Sequence, residues 1–193
     1  MVVSMLAVDS GFNTQVVYTW ARGYPMNRVI AIKGVSGSGV LIGTPSAIEI
    51  NMRGRKPVHG YKVWPVCGSV AKGELYGFLR LERPEEPDAP LPPGWCHFPE
   101  YDDDYFKQLT AEHLVSRKMR GGFTALEWTL IPGRENHVLD CRIYARAAAQ
   151  LAGLDRWKDN DWLAHEIALG LVPQEEAAKA PAPPRSGWLN RGR

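Results

Sequence analysis

The chain begins with a nearly continuous apolar run, Val2, Val3, Met5, Leu6, Ala7 and Val8. The lack of alternation predicts a strand buried on both faces of a mostly parallel sheet. The run ends at Asp9-Ser10-Gly11, after which Asn13 or Thr14 can cap a helix. The apolar positions Val16, Val17, Trp20 and Ala21 of that helix recur at helical spacing through Arg22, until Gly23 and Pro25 stop it. Residues 29–32 read as a second strand, which makes a βαβ unit with a right-handed crossover. Residues 34–60, rich in Gly, Ser and Pro, predict an irregular excursion with one strand-like piece at 48–52.

Further on, the pattern predicts a strand at 62–66 and a short helix at 70–81 interrupted by Gly73 and Gly77. Five prolines among acids make 83–94 an extended loop. A short strand at 95–98 follows, then a helix at 102–109 whose leading acids suit a helix N-terminus. Residues 113–118 and 123–131 flank Arg120-Gly121-Gly122 and predict a hairpin with a basic tip. Residues 135–151, dense in Ala, Leu and Ile, are the strongest helix, and 159–171 suit another. The Ala-, Pro- and Lys/Arg-rich tail is expected to be disordered.

Composition narrows the class. A chain of 193 residues, 45% apolar and 23% charged, suits one soluble domain with a core. The opening apolar run is far below the roughly 20 residues that span a bilayer, and it lacks the flanks of a signal peptide. Cys67, Cys96 and Cys141 are odd in number and widely spaced. Neither a disulfide framework nor a zinc knuckle is suggested, so a cytoplasmic location without membrane attachment is expected. The net charge of +2 does not by itself indicate nucleic acid. Local basic stretches do occur, at Arg53, Arg55, Lys56 and Lys62 and again at Arg117, Lys118 and Arg120, and each reads either as a DNA contact or as solvated loop charge.

Two acids stand out. Asp9 lies where a strand empties into a turn, the place where open α/β sheets collect ligand-binding residues, although an Asp before Ser-Gly also serves to shape the turn. Asp140 has Asn136, Ile143, Tyr144 and Ala147 as helical neighbours. A carboxylate aimed at such a largely apolar face calls for a partner or a metal, the alternative being an exposed acid favoured by the helix dipole. Were the two to converge, their oxygens would suit a hard divalent cation.

The surrounding order of short motifs is more specific. Asp9-Ser10-Gly11 and Thr14-Gln15-Val16-Val17-Tyr18 are followed by Ile32-Lys33-Gly34, Ala71-Lys72, Leu75-Tyr76 and His97-Phe98-Pro99. Tyr105-Phe106, Leu109-Thr110-Ala111-Glu112, Asn136, Leu139-Asp140-Cys141 and Tyr144-Ala145 complete the series. Across residues 4–157 this resembles the nuclease domain of the lambda-type large terminase family, the DNA-packaging motors of tailed phages.

The resemblance implies an α/β, RNase H-like mixed sheet flanked by helices, with acids holding two Mg2+ or Mn2+ ions. One ion would activate water and the other would stabilise the leaving oxygen during cleavage of concatemeric viral DNA. Asp9 and Asp140 match the family's metal-binding acids. Lys33, Arg117, Lys118 and Arg120 become candidate DNA contacts, and His97, Asn136 and His137 candidates to orient a ligand or water. His97 also reads as a core histidine, and Cys141 reads as core. Glu74 is a candidate for a further ligand.

Departures from the family pattern are equally specific. Neither the family's earlier acid-bearing strand nor its ATPase is present, Gly34 to Gly39 is not followed by the Lys of a phosphate-binding loop, and His137 replaces a family Glu. The expectation is a nuclease domain lacking its first strands (1–157), an added helix (158–172) and a basic tail (173–193), inactive or weak on its own. Its partners would be double-stranded DNA, the missing N-terminal part of a terminase, the small terminase subunit and the capsid portal. The alternative is a noncatalytic DNA-binding or assembly module, and a further acid beside Asp9 and Asp140 would separate the two. No Gly-x-Ser-x-Gly elbow supports an unrelated hydrolase.

Overall fold

The computed structural model describes residues 3–37, 39–48, 61–119 and 121–172. The chain divides into two compact units, Met1–Ala152 and Gly153–Arg193. The first holds a four-stranded mixed sheet in the order β1-β2-β4-β3, built from β1 (Leu6–Asp9), β2 (Val29–Val35), β3 (Ser46–Ile48) and β4 (Tyr61–Cys67). Strands β1, β2 and β4 run parallel and β3 pairs antiparallel to β4. Helices α1 (Thr14–Ala21), α2 (Gly68–Phe78), α3 (Asp103–Leu109) and α4 (His137–Ala152) surround the sheet, and β5 (Glu112–Lys118) and β6 (Thr124–Leu130) form a separate antiparallel pair.

The unbroken apolar run of β2 follows from its place between β1 and β4, with both faces covered. Val29 and Ala31 pack with Tyr18 and Ala21 of α1 and with Tyr61 and Val63 of β4. Ile30 and Ile32 point the other way and join Trp64, Val66, Ala71, Leu75, Leu109, Leu139, Ile143 and Ala147 in the larger core cluster. Ile30, Ile32, Leu109 and Leu139 are fully enclosed, each contributing roughly 1.5–3 kcal/mol of burial.

Several expectations are corrected. Strand β1 is not buried on both faces; Leu6 is 44% exposed, because β1 pairs only with β2 among the described residues and so lies at the sheet's edge. Neither Asn13 nor Thr14 caps α1 with its side chain; Asn13 takes the N-cap position in a left-handed conformation, and the Thr14 hydroxyl donates back to the Ser10 carbonyl. Residues 95–99 form no strand. Prolines 92, 93 and 99 deny a ladder its donors, and Phe98 instead sets its ring edge-on against Phe106. Helix α2 starts at Gly68 and runs through Gly73 without a break.

The loop at 83–94 and the hairpin follow expectation, with Glu112 opposite Leu130 and Lys118 opposite Thr124. At the hairpin turn Gly121 and Gly122 take φ of 101° and 83°, a region where a side chain is strained. The second unit contains a 3-10 turn, Leu154–Arg156, and helix α5, Asp159–Ala168, shorter than the expected 159–171. The predicted strand residues 49–52, the basic residues Arg53, Arg55, Lys56 and Arg120, and the tail at 173–193 lie outside the described residues. Among the described residues no helix is long and apolar enough to cross a membrane.

Candidate active site

The carboxyl end of β1 is fastened to its neighbour by Ser10. Its backbone N–H and its buried hydroxyl both donate to the Ile32 carbonyl, at 2.9 and 2.7 Å. The preceding Asp9 accepts from the Gly11 N–H at 2.9 Å, so it does shape the turn. A Cβ at position 11 would stand 3.3 Å from the Asp9 Oδ1, which explains the glycine there.

Asp140 enters from the first turn of α4, the helix that packs on β1. It is half-buried, and its carboxyl is pushed above the usual carboxylate range, first by desolvation. The Lys72 ammonium opposes that shift, while the negative charges of Glu112 and Asp9 add to it, and His137 opposes it weakly. Asp9, Asp140, Glu112 and Lys72 therefore share one electrostatic neighbourhood. One turn along α4, burial and the charges of Asp9 and Asp140 push the Tyr144 phenol up to about 12. That hydroxyl lies at the end of β2, 3.8 Å from where a Cβ on Gly34 would be.

Glu112, at the root of the hairpin, is only 6% exposed. Its Oε2 accepts from Lys72 Nζ at 2.6 Å, its Oε1 from Asn136 Nδ2 at 2.9 Å, and its backbone N–H donates to the Tyr76 hydroxyl at 3.2 Å. Asn136 thus orients a carboxylate from the entry to α4, where its own carbonyl accepts the Asp140 N–H at 2.9 Å. Three acids, from a strand end, a helix start and a hairpin root, are thus linked electrostatically through Asp140, beside one ammonium and one phenol. Residues 1–162 match the family described as "Terminase large subunit gpA, endonuclease domain".

The chain belongs to that terminase endonuclease family. It is 32% identical over 163 residues to the terminase large subunit of Escherichia phage lambda, covering 82% of this chain and 23% of that protein. To the terminase large subunit of Enterobacteria phage P21 it is 28% identical over 163 residues, covering 82% of this chain and 24% of that protein. The match thus spans about a quarter of the length of these relatives. No solved structure matches.

Against this terminase domain the residues singled out from sequence divide cleanly. The Asp9 charge bears on Asp140, and Asn136 holds Glu112. His137 is 76% exposed and lies 3.8 Å from Glu135. His97 is exposed on the irregular segment, which overturns its reading as a core histidine. Lys33 is exposed immediately after Ile32, the residue in register with Asp9. Arg117 and Lys118 are exposed on the hairpin, Arg117 pairing with Glu127 at 3.0 Å. Glu74 is committed elsewhere, in a two-pronged pair with Arg146 at 2.6 and 3.0 Å. Cys141 is exposed rather than core, because it points off the side of α4 away from Leu139 and Ile143.

Sequence reasoning missed the parts played by Glu112, Lys72 and Tyr144. No local signal marks Glu112 in the sequence, since its partners Lys72 and Asn136 lie 40 and 24 residues away along the chain. As a set, Asp9, Asp140 and Glu112 offer only carboxylate oxygens, the donor chemistry of a hard divalent ion, and burial first, with the charges of Glu112 and Asp9 adding to it, makes Asp140 a reluctant anion. Their side chains are not drawn around one point; among the described residues no three His, Cys, Asp or Glu stand close enough to hold an ion.

Proposed function

We propose that this terminase domain is a metal-dependent DNA endonuclease using Asp9, Asp140 and Glu112, with Mg2+ or Mn2+ as its ion. The observation that carries the reading is a third, buried acid, Glu112, whose charge bears on Asp140 as that of Asp9 does, inside a region that matches an endonuclease family. That acid favours a nuclease over a noncatalytic module, since binding DNA requires no such cluster. A divalent ion, when bound, supplies Lewis-acid assistance to attack on a phosphodiester.

The protein's own residues set the stage. Ser10 fixes the height of Asp9 on the sheet edge, α4 presents Asp140 over the same edge, and Asn136 holds Glu112. Tyr144, kept protonated at neutral pH, can donate a hydrogen bond to a phosphate oxygen or an attacking water. Lys33 at the strand end and Arg117 and Lys118 on the hairpin are placed to meet a DNA backbone. Three parallel strands, an antiparallel edge strand and helices on both faces support the RNase H-like arrangement that the resemblance implies. Double-stranded viral DNA is the proposed substrate; an ATPase-bearing terminase part, the small subunit and the portal are the proposed partners.

The test is nicking of supercoiled plasmid with Mn2+ or Mg2+ by the wild-type chain and by D9A, D140A and E112Q. Metal-dependent nicking lost in all three supports the reading. Nicking that survives in the variants refutes the assignment, and a folded chain that binds DNA but never nicks it is the outcome expected of the noncatalytic module and equally of a nuclease domain inactive on its own.

A further inference from the structure

We propose that Lys72 is a built-in counter-ion, which Glu112 exchanges for the divalent ion when the site is loaded. The proposal rests on the metal-dependent reading above and adds a positioning residue to it.

Four observations point the same way. Lys72 and Glu112 are 15% and 6% exposed and meet at 2.6 Å, so this is a pair made largely out of solvent. Both Glu112 oxygens are occupied, one by Lys72 and the other by Asn136, which leaves the carboxylate turned towards α2. The set of three acids is correspondingly not closed. Lys72 is also the foremost charge opposing the upward push on the Asp140 carboxyl. The charges bearing on Asp140 are therefore Lys72, Glu112, Asp9 and, last, His137, so that three acids stand against one ammonium. That excess of negative charge is what one divalent ion would neutralise.

The geometry permits withdrawal. Lys72 stands one turn into α2, its stem running beside Gly68, where a Cβ would be 3.8 Å from Lys72 Cε. A lysine ammonium on a flexible stem is a mobile point charge and is readily hydrated. Asn136 and the Tyr76 hydroxyl keep their hold on Glu112 throughout, so the root of β5 need not shift. Lys72 thus stabilises the metal-free protein while competing with the metal for one carboxylate. By linkage, removing the ammonium must tighten metal binding, because it raises the free energy of the metal-free state alone.

The experiment is a titration of the full chain with Mn2+, following the free ion by electron paramagnetic resonance and thermal melting in parallel. K72Q is expected to bind Mn2+ about tenfold more tightly than wild type, a typical coupling between two sites. Its lower metal-free Tm should close on that of wild type at saturating Mn2+. K72R, whose fork can grip a carboxylate with two bonds, should bind Mn2+ more weakly than wild type, so the proposal remains open to test should K72Q fail to fold. A purely structural lysine would lower Tm equally with and without Mn2+ and leave affinity unchanged; that result, in a wild-type protein that does bind Mn2+, overturns the exchange and spares the nuclease reading. Absence of Mn2+ binding in wild type and K72Q alike overturns both.

Discussion

Ser10→Ala isolates the joint that sets the position of Asp9. The hydroxyl is 1% exposed with its residue and donates to the Ile32 carbonyl at 2.7 Å. Removing it forfeits one buried hydrogen bond, whose net worth is about 1 kcal/mol. The larger penalty of an orphaned acceptor does not arise, because the Ile32 carbonyl keeps the Ser10 N–H at 2.9 Å. The cavity is a single oxygen, so little is added for lost packing. A destabilisation of ~1 kcal/mol corresponds to a fall in Tm of about 2–4 °C for a domain of this size. Urea unfolding followed by tryptophan fluorescence should show a lower midpoint at an unchanged slope. Because the backbone bond survives, Mn2+ affinity should weaken only modestly. A loss of ~3 kcal/mol or more, at or beyond the upper end for one buried unsatisfied group, would mean that the backbone bond goes too and that the side chain alone fixes the strand end. A change indistinguishable from zero would mean that the hydroxyl is solvated in solution, and the account of how Asp9 is positioned would fall with it.

Asp140 gives a pH dependence with a definite sign. Its carboxyl is raised in the folded protein, so the native state holds the proton more firmly than the unfolded chain, and stability from this group falls as pH rises from the unfolded value through the folded one. D140N should therefore raise the metal-free Tm at neutral pH, flatten that acid-side dependence and lose Mn2+ binding together, as read by melting across pH 3–7 (roughly the carboxylate range); an unaltered pH profile would count against the buried placing. E74Q should leave Mn2+ affinity and any nicking untouched while lowering stability by roughly 0.2–1 kcal/mol, as expected for a partly exposed ion pair. Loss of metal binding in E74Q would return Glu74 to the ligand set.

How far the sequence reaches depends on what decides each element. The hairpin was legible because Gly121-Gly122 supplies positive φ between two strand-forming runs, a local cause. Helix α4 was legible from its composition. The apolar run of β1 correctly announced a strand and wrongly announced burial, because apolarity reports what a strand can be packed against and not whether a neighbour stands on each side. Residues 95–98 misled in the opposite way: their aromatic and apolar content suits an aromatic cluster with α3 as well as it suits a ladder. Asp9 and Asp140 could be singled out as candidates because a turn and an amphipathic helix expose their positions to pattern reasoning. Glu112 is held by Lys72 from α2 at one oxygen and by Asn136, just before α4, at the other, residues 40 and 24 positions away along the chain, and no local pattern encodes such a meeting.

The hairpin is joined to the rest of its unit at its root. There the Ile131 N–H meets the Ala111 carbonyl at 2.8 Å, Trp128 lies against Tyr76 with ring centroids 4.9 Å apart, and Glu112 is gripped by α2 and by Asn136. The blade beyond, from Val115 to Glu127, forms its own two-stranded ladder and carries none of the three acids. Such a part is interchangeable in principle: its length, charge and tip chemistry can be rewritten without disturbing the root that presents the third carboxylate. On the proposed nuclease reading, this separates the reach and grip of an arm from the placing of one oxygen pair.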